Sequence, residues 1–299
     1  MTVSVTCVGL AVIDLVMWIE RVPERPGKHI ARRAETIGGG PAATAAVTIA
    51  RLGGVARFAG RIGDDERGDR ILAGLVAEGV DVSGVRRVEG ATSPVSSVFI
   101  TPEGDRTVIN HTDPNLYTVP PDAAIIQPSD AILADARWPA GALAAMAAAQ
   151  RYEVPGVLDF DRTDPAPLAE AAARATHVVA AEPALAEFVG APDPATALRR
   201  LRERTGAWIA VTTGGGGVSW LEDGGVETLR PPSVDVVDTL GAGDVFHGAF
   251  TLALAEGRHE PEALRFATAA AALKCTRPVG RAGIPARYEV EVLVGEAWS

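Results

Sequence analysis

The stretch DTLGAGDVFHGAF, Asp238 to Phe250, sets two carboxylates and two glycines within seven residues and then continues as an apolar run of helical period. Glycine weakens a helix interior, and Asp helps a helix only in its first turn, so the pattern reads as a helix mouth. Gly241, Ala242 and Gly243 lead into a helix predicted to begin near Asp244. First-turn amides are unpaired and lie at the positive end of the helix dipole, which makes an anion site, and small residues let a phosphate come close. A carboxylate at Asp244 stays ionised there and can accept a proton from a hydroxyl. A phosphoryl group in the amide cradle, with a hydroxyl beside Asp244, is the arrangement for phosphoryl transfer, where positioning and charge neutralisation do most of the catalysis. Taken alone, the pattern equally allows an Asp244 that only caps its helix.

Two further glycine stretches bear on the same chemistry. VTTGGGGVSW (Val211–Trp220) is a strand running into four glycines. Such glycines permit positive φ and close backbone approach, as a nucleotide-phosphate loop needs, although a hairpin turn looks the same. GGGPAATAAV (Gly38–Val47) is a glycine turn at a helix start, with Pro41 suited to the first helical position. It fits either a polar substrate lying on the turn or a tight strand-to-helix connection. The P-loop pattern GxxxxGK[ST], and GxGxxG after a strand, are absent.

The elements that must carry these loops alternate. Val3–Leu10 reads as a strand, Pro41–Leu52 as a helix, VARFAGRIG as the next strand and Asp69–Glu78 as a helix stopped by Gly79. Strands follow at Ala131–Ala134, Gly156–Asp159, His177–Ala180 and Trp208–Thr212, with helices such as Gly141–Gln150 and Pro194–Thr205 between them. This order predicts an α/β fold: a mostly parallel sheet with helices on both faces and ligands gathered beyond the carboxyl ends of the strands. Asp14–Thr36 and Ala91–Asn110 instead alternate with period two, predicting antiparallel strands with turns at Pro26-Gly27 and Pro102-Glu103-Gly104. The expected division is a core of residues 1–13, 37–90 and 113–299, and a small sheet of residues 14–36 and 91–112 that covers the site, contacts another copy, or does both.

Composition bounds the rest. The chain has 299 residues, 47% of them hydrophobic and 22% charged, which is ordinary globular material. A formal charge of −10 argues against a sequence-independent grip on nucleic acid. Cys7 and Cys275 have no metal-ligand spacing and read as apolar residues of a reduced protein. Val3–Ile19 is apolar enough to resemble a signal sequence, but it lacks a basic leader and a cleavage site and carries Asp14 in its middle. The expectation is a first strand ending near Gly9 in a soluble cytoplasmic protein with no membrane partner.

Together and in this order, the three stretches resemble the PfkB (ribokinase-like) family of carbohydrate kinases, nearly end to end. GGGPAATAAVTIARLGG…FAGRIGDDERG is similar to that family's N-terminal signature and DTLGAGDVFHGAF to its C-terminal one. The resemblance implies a ribokinase-like three-layer α/β/α core with a β lid, and ATP-dependent phosphorylation of a sugar hydroxyl aided by Mg²⁺. It makes Asp244 the base and Gly241, Ala242 and Gly243 the anion hole. It sets Asp14, Gly38 and Gly39 on the sugar, and Thr212 to Gly217 (Thr212, Gly214, Gly215 and Gly217 among them) near the nucleotide. Two places depart from the family. Ala43 stands where members often carry an Asn that holds the sugar, and the Asn-x-x-Glu motif that organises Mg²⁺ through water falls on AEPA, leaving only Glu182. The K⁺ site of some relatives would use backbone groups near Asp238 and the stretch Thr276–Gly283.

If Ala43 has given up a polar contact, other groups must hold the substrate. The candidates are Lys28, Arg106, Asn110, His111, Asp135, Arg137, Asp159 and Asp161. Lys28 and Asn110 fall in the expected lid strands and Arg137 follows the strand AILADARW, so two cations and an amide converging on one end of a sugar would suit an anionic substituent. The same cations could instead be solvated or paired with the chain's many acids. The stretches GGGPAATAAV, LADARW and ALKCTRPVGRAGIP resemble the bacterial 6-deoxy-6-sulfofructose kinases most closely, which implies phosphorylation of the C1 hydroxyl of a ketose bearing a C6 sulfonate. A ketohexokinase acting on neutral fructose is the nearest alternative and a non-catalytic sugar sensor the next. A nucleoside kinase fits poorly, since aromatics make up 5% of the chain. A small-sheet face of Val16, Trp18, Val98 and Ile100 is expected to join two copies as a homodimer.

Overall fold

The runs richest in Val, Ile and Ala become strands buried on both faces, as strands of a parallel sheet must be. The computed structural model describes residues 2–117, 121–122, 125–161, 165–190, 193–222, 225–278 and 280–298. The chain opens with β1 (Ser4–Gly9), β2 (Val12–Trp18), β3 (Arg33–Gly39), α1 (Pro41–Arg51), β4 (Val55–Gly63), α2 (Glu66–Ala77) and β5 (Asp81–Val88). There follow β6 (Val95–Ile100), β7 (Arg106–His111), β8 (Ala131–Asp135), α3 (Pro139–Tyr152), β9 (Gly156–Phe160), α4 (Pro165–Arg174) and β10 (His177–Ala181). The last third holds α5 (Glu182–Val189), α6 (Pro194–Thr205), β11 (Trp208–Thr212), β12 (Val218–Glu222) and β13 (Gly225–Leu229), then α7 (Ala242–Ala255), α8 (Glu260–Cys275) and α9 (Arg287–Ala297).

Nine strands form one sheet in the order β13-β12-β11-β10-β9-β8-β1-β4-β5, with every pairing parallel except β11 with β12 and β12 with β13. Successive residues of each strand feed opposite layers. Val5, Cys7, Leu133, Val157 and Val179 pack with Ala46, Phe250 and Phe266 of α1, α7 and α8. Val8, Ile132, Leu158 and Val178 pack with Met146, Ala171 and Leu198 of α3, α4 and α6. The strand order reverses where β1 lies between β4 and β8, and that switch point opens a crevice at the strands' carboxyl ends.

The second sheet has the order β3-β2-β6-β7. Two features differ from the sequence expectation. β2 and β6 pair parallel, because each belongs to its own hairpin and the hairpins meet side by side. The strand expected from Lys28 starts only at Arg33, and residues 21–30 are exposed, since Pro23 and Pro26 cannot donate to a ladder. Cross-strand register puts Asp14, Ile37, Ser96 and Asn110 in one row, and Val16, Glu35, Val98 and Val108 in the row two positions on. Val16, Val98 and Ile100 are already buried within the chain, against Trp18, Ile37 and Leu240, so this face is not open to a second copy as expected. Similarly, α2 begins three residues before its expected start, because the Asp65 carboxylate accepts from the Gly68 amide at 2.8 Å and caps it.

Candidate active site

The expected helix mouth forms two residues early. α7 begins at Ala242, and Gly241 stands at its N-cap with φ 79°, a left-handed conformation that a side chain would resist. No side-chain cap is present at that N-cap, and the Ala242 amide bonds to the Thr239 carbonyl at 3.2 Å. Asp244 lies in this first turn and does not serve as the cap. Among the described residues it receives no hydrogen bond, and it lines a cleft shared with Asp14, Gly38, Gly39, Lys274 and Arg281. Burial, then the negative charge of Asp159, pushes the Asp244 carboxyl up to about 7, while His247 pulls the other way. A group near that value exchanges a proton with a bound hydroxyl at neutral pH.

Asp14 comes from β2 and reaches the same cleft. Burial raises its carboxyl, opposed by a hydrogen bond from Ser96 and the charge of Arg281. Two glycines leave room beside it. A Cβ on Gly39 would overlap the Asp14 carboxylate, and one on Gly38 would come within 2.6 Å of Arg281 Nη1. Arg281 donates through Nη2 to the Gly39 carbonyl at 2.7 Å. Its burial between the acids lowers the guanidinium to about 10, with Asp14 and Asp244 opposing the shift. Sequence reading missed Arg281 as a site residue. The available signal was a cation set between Gly280 and Gly283 in the stretch GRAG.

Several expected ligands have other tasks. The Asp135 carboxylate accepts from the amides of Leu10 at 2.8 Å, Ala42 at 3.0 Å and Arg137 at 2.9 Å, which ties the ends of β1 and β8 to the start of α1. Asp159 lies under α7 with Oδ1 3.5 Å from His247 Nε2, and its carboxyl is held well above the ordinary range by burial and by Asp135 and Asp161. Arg137 forms an ion pair with Asp161, so both meet each other before any substrate. Lys28 and Arg106 are exposed, Lys28 in the segment ahead of β3. Asn110 is exposed on β7, but it shares the cross-strand row of Asp14 and Ser96. His111, in the next position, falls on the opposite face, paired with Val95. Ala43 is fully buried and offers the cleft nothing.

At the nucleotide end, Gly214 (φ 59°) and Gly217 (φ 100°) bend the chain between β11 and β12, and open space surrounds Gly214 and Gly215. The Thr212 hydroxyl is directed at the Ala180 carbonyl, 3.4 Å away. Glu182 opens α5 just beyond β10 as an exposed carboxylate. Among the described residues there is no cluster of three or more His, Cys, Asp or Glu side chains able to hold a metal ion. Among those residues, too, no helix is long and apolar enough to cross a membrane.

A parallel sheet sandwiched between helices, with a four-stranded sheet beside its switch point and an acid at a glycine helix mouth, defines the ribokinase-like α/β fold. The profile of the pfkB family carbohydrate kinases matches residues 3–287, and the chain belongs to that family. It is 29% identical to the ribokinase of Bacillus subtilis over 97% of this chain and 99% of that protein, and 27% identical to mouse ketohexokinase over 91% and 96%. A solved structure of a proposed ribokinase from Agrobacterium tumefaciens superposes with a TM-score of 0.94 at 37% identity, covering 99% of each chain. The Arabidopsis thaliana ribokinase solved with ribose and ATP gives 0.86 at 25% identity over 98% and 99%. The protein is an ATP-dependent carbohydrate kinase.

Proposed function

We propose that the protein phosphorylates the C1 hydroxyl of a ketose carrying an anionic C6 substituent, 6-deoxy-6-sulfofructose being the substrate that the sequence resemblance implies. The observation that carries the reaction is the Asp244 carboxylate, without a hydrogen-bond donor among the described residues, lining the cleft it shares with Asp14. Asp14 grips sugar hydroxyls, with Gly38 and Gly39 as the floor. Asp244 takes the proton of the attacking hydroxyl, whose oxygen forms the new bond to the γ-phosphorus of ATP as the bond to ADP breaks. The amides of Gly241, Ala242 and Gly243 receive the charge on the transferred oxygens, that of Ala242 after leaving the Thr239 carbonyl it bonds to at 3.2 Å. Thr212, Gly214, Gly215 and Gly217 lie along the nucleotide. Mg²⁺ neutralises phosphate charge when bound, and Glu182 is the residue that would hold its water.

For the anionic end, the reading rests on Asn110 in the row of Asp14 and on Arg137 beyond β8, with Lys28 and Arg106 brought in from the exposed segments when the small sheet closes as a lid. Homodimerisation would use the edge strand β7, where Val108 and Ile109 are 47% and 61% exposed. A neutral sugar is the second reading, favoured by the Arg137–Asp161 ion pair, which satisfies the cation without a ligand. ADP release with Mg-ATP and equal concentrations of 6-deoxy-6-sulfofructose, fructose, fructose 6-phosphate and ribose decides between them. Preference for the sulfonate sugar supports the first reading; equal or faster turnover of fructose or ribose refutes it.

A further inference from the structure

The turn that leads into α7 is held by a buried ammonium group. Lys274, in the last turn of α8, has a side chain only 1% exposed, and its Nζ lies 3.0 Å from Asp238 Oδ2 and 3.3 Å from the Asp238 carbonyl oxygen. The other Asp238 oxygen, Oδ1, accepts from the Leu240 amide at 3.0 Å. Leu240 precedes Gly241, so the chain of contacts runs from the ammonium through the Asp238 carboxylate to the backbone that shapes the helix mouth. The amides of Val237 and Asp238 both bond to the Cys275 carbonyl, at 2.7 and 3.1 Å, which fastens the same turn to the end of α8. The stem is enclosed as well: a Cβ on Gly283 would stand 3.0 Å from Lys274 Cδ.

Backbone groups near Asp238 are expected to face a K⁺ ion, together with the stretch Thr276–Gly283, of which Val279 lies outside the described residues. The Asp238 carbonyl does not fit a free K⁺ here, because a cation covalently attached to the chain already contacts it and the carboxylate of the same residue. An ammonium and a K⁺ ion carry the same charge at similar size, and each would order this turn by drawing oxygen ligands together. We infer that Lys274 is a built-in monovalent cation: a positioning residue that orders the Asp238–Gly241 turn and frees the enzyme from dependence on K⁺. The inference rests on the kinase reading of the helix mouth and not on the identity of the sugar.

The test compares steady-state kinetics in KCl, NaCl, CsCl and tetramethylammonium chloride at constant ionic strength, with whichever sugar turns over, alongside ATP affinity by calorimetry without any sugar. The wild type should show kcat and KM for ATP within about twofold across the four salts, because its cation is internal. Saturable activation by K⁺ of several-fold would overturn the inference. Lys274→Ala, shown to be folded by circular dichroism, should lose about tenfold or more in kcat/KM for ATP in tetramethylammonium chloride and recover part of it in KCl or NH₄Cl. Unchanged ATP kinetics in that variant would overturn the inference too. Should Lys274→Ala not fold, the wild-type salt series decides alone. Should no sugar be phosphorylated, ATP affinity in the four salts carries the same comparison while the substrate reading fails separately.

Discussion

Asp244→Asn is the most informative single change, because it keeps shape while removing the proton acceptor. General-base catalysis typically contributes about 10²- to 10⁴-fold, so kcat should fall by that factor with little change in KM for either substrate. The wild type offers a second reading of the same group. With the Asp244 carboxyl near 7 in the free enzyme, kcat/KM for the sugar should rise about tenfold between pH 6 and pH 8 and level off above. Burial is the main cause of that position and the Asp159 charge the next, so Asp159→Asn should move the acid limb to lower pH. The assay is coupled ADP release at saturating Mg-ATP across about pH 5.5 to 9, with the coupling enzymes checked at each pH. A flat profile, or Asp244→Asn keeping more than about a tenth of wild-type kcat, would refute Asp244 as the base.

Three further outcomes follow from the geometry. Gly39→Ala drives a Cβ into the Asp14 carboxylate, so kcat/KM for the sugar should fall by about 100-fold with the protein still folded; a variant within fivefold of wild type would show that Asp14 does not position the sugar. Arg137→Met should lower kcat/KM for 6-deoxy-6-sulfofructose by about 100-fold while leaving fructose within about twofold, and parallel losses on both sugars would exclude a sulfonate contact. Asp244→Asn should also raise the melting temperature near pH 8. The native carboxyl titrates near 7 against 3.8 for the ordinary group, so between those values the native state binds more protons and this group's contribution to stability falls as pH rises. The variant removes that loss, so its gain should be visible at pH 8 and absent near pH 4; a gain of equal size at both would contradict the linkage.

What the sequence disclosed was whatever depends on near neighbours. β11 and α6 lie where the apolar runs and punctuation put them, since Asp193 caps α6 ahead of Pro194 and Gly206 closes it in a left-handed conformation. The glycines at 38, 39 and 241 were legible as loop chemistry, but their reasons were not. Gly39 makes room for Asp14 from the neighbouring strand, and Gly38 for Arg281. Arg281 donates to Gly39 from 242 residues away, and Lys274 reaches Asp238 across 36, so neither contact leaves a periodic trace. The parallel pairing of β2 with β6 escaped for the same reason, because it joins two hairpins that are separate along the chain. Asp135 was misjudged as a ligand because an acid at a strand end looks the same whether it meets a sugar or, as here, three backbone amides.

Those amides bear on which acid does the chemistry. Asp14, Asp135, Asp159 and Asp244 all stand near the carboxyl ends of the strands, and burial raises each of them. A raised carboxyl is therefore no signature of a base in this crevice; what separates the four is where their oxygens are committed. Asp135 is taken by backbone donors. Asp14 has a hydrogen bond from Ser96 and the Arg281 charge to favour its ionised form. Asp159 lies against His247 beneath α7 and does not border the cleft. Among the four, Asp244 alone combines a place in the first turn of a helix, a border on the cleft and no hydrogen-bond donor among the described residues. An uncommitted carboxylate costs the fold stability above neutral pH, and that cost is lifted when a substrate hydroxyl donates to it. The same absence of partners that weakens the empty protein is what leaves Asp244 free to take a proton.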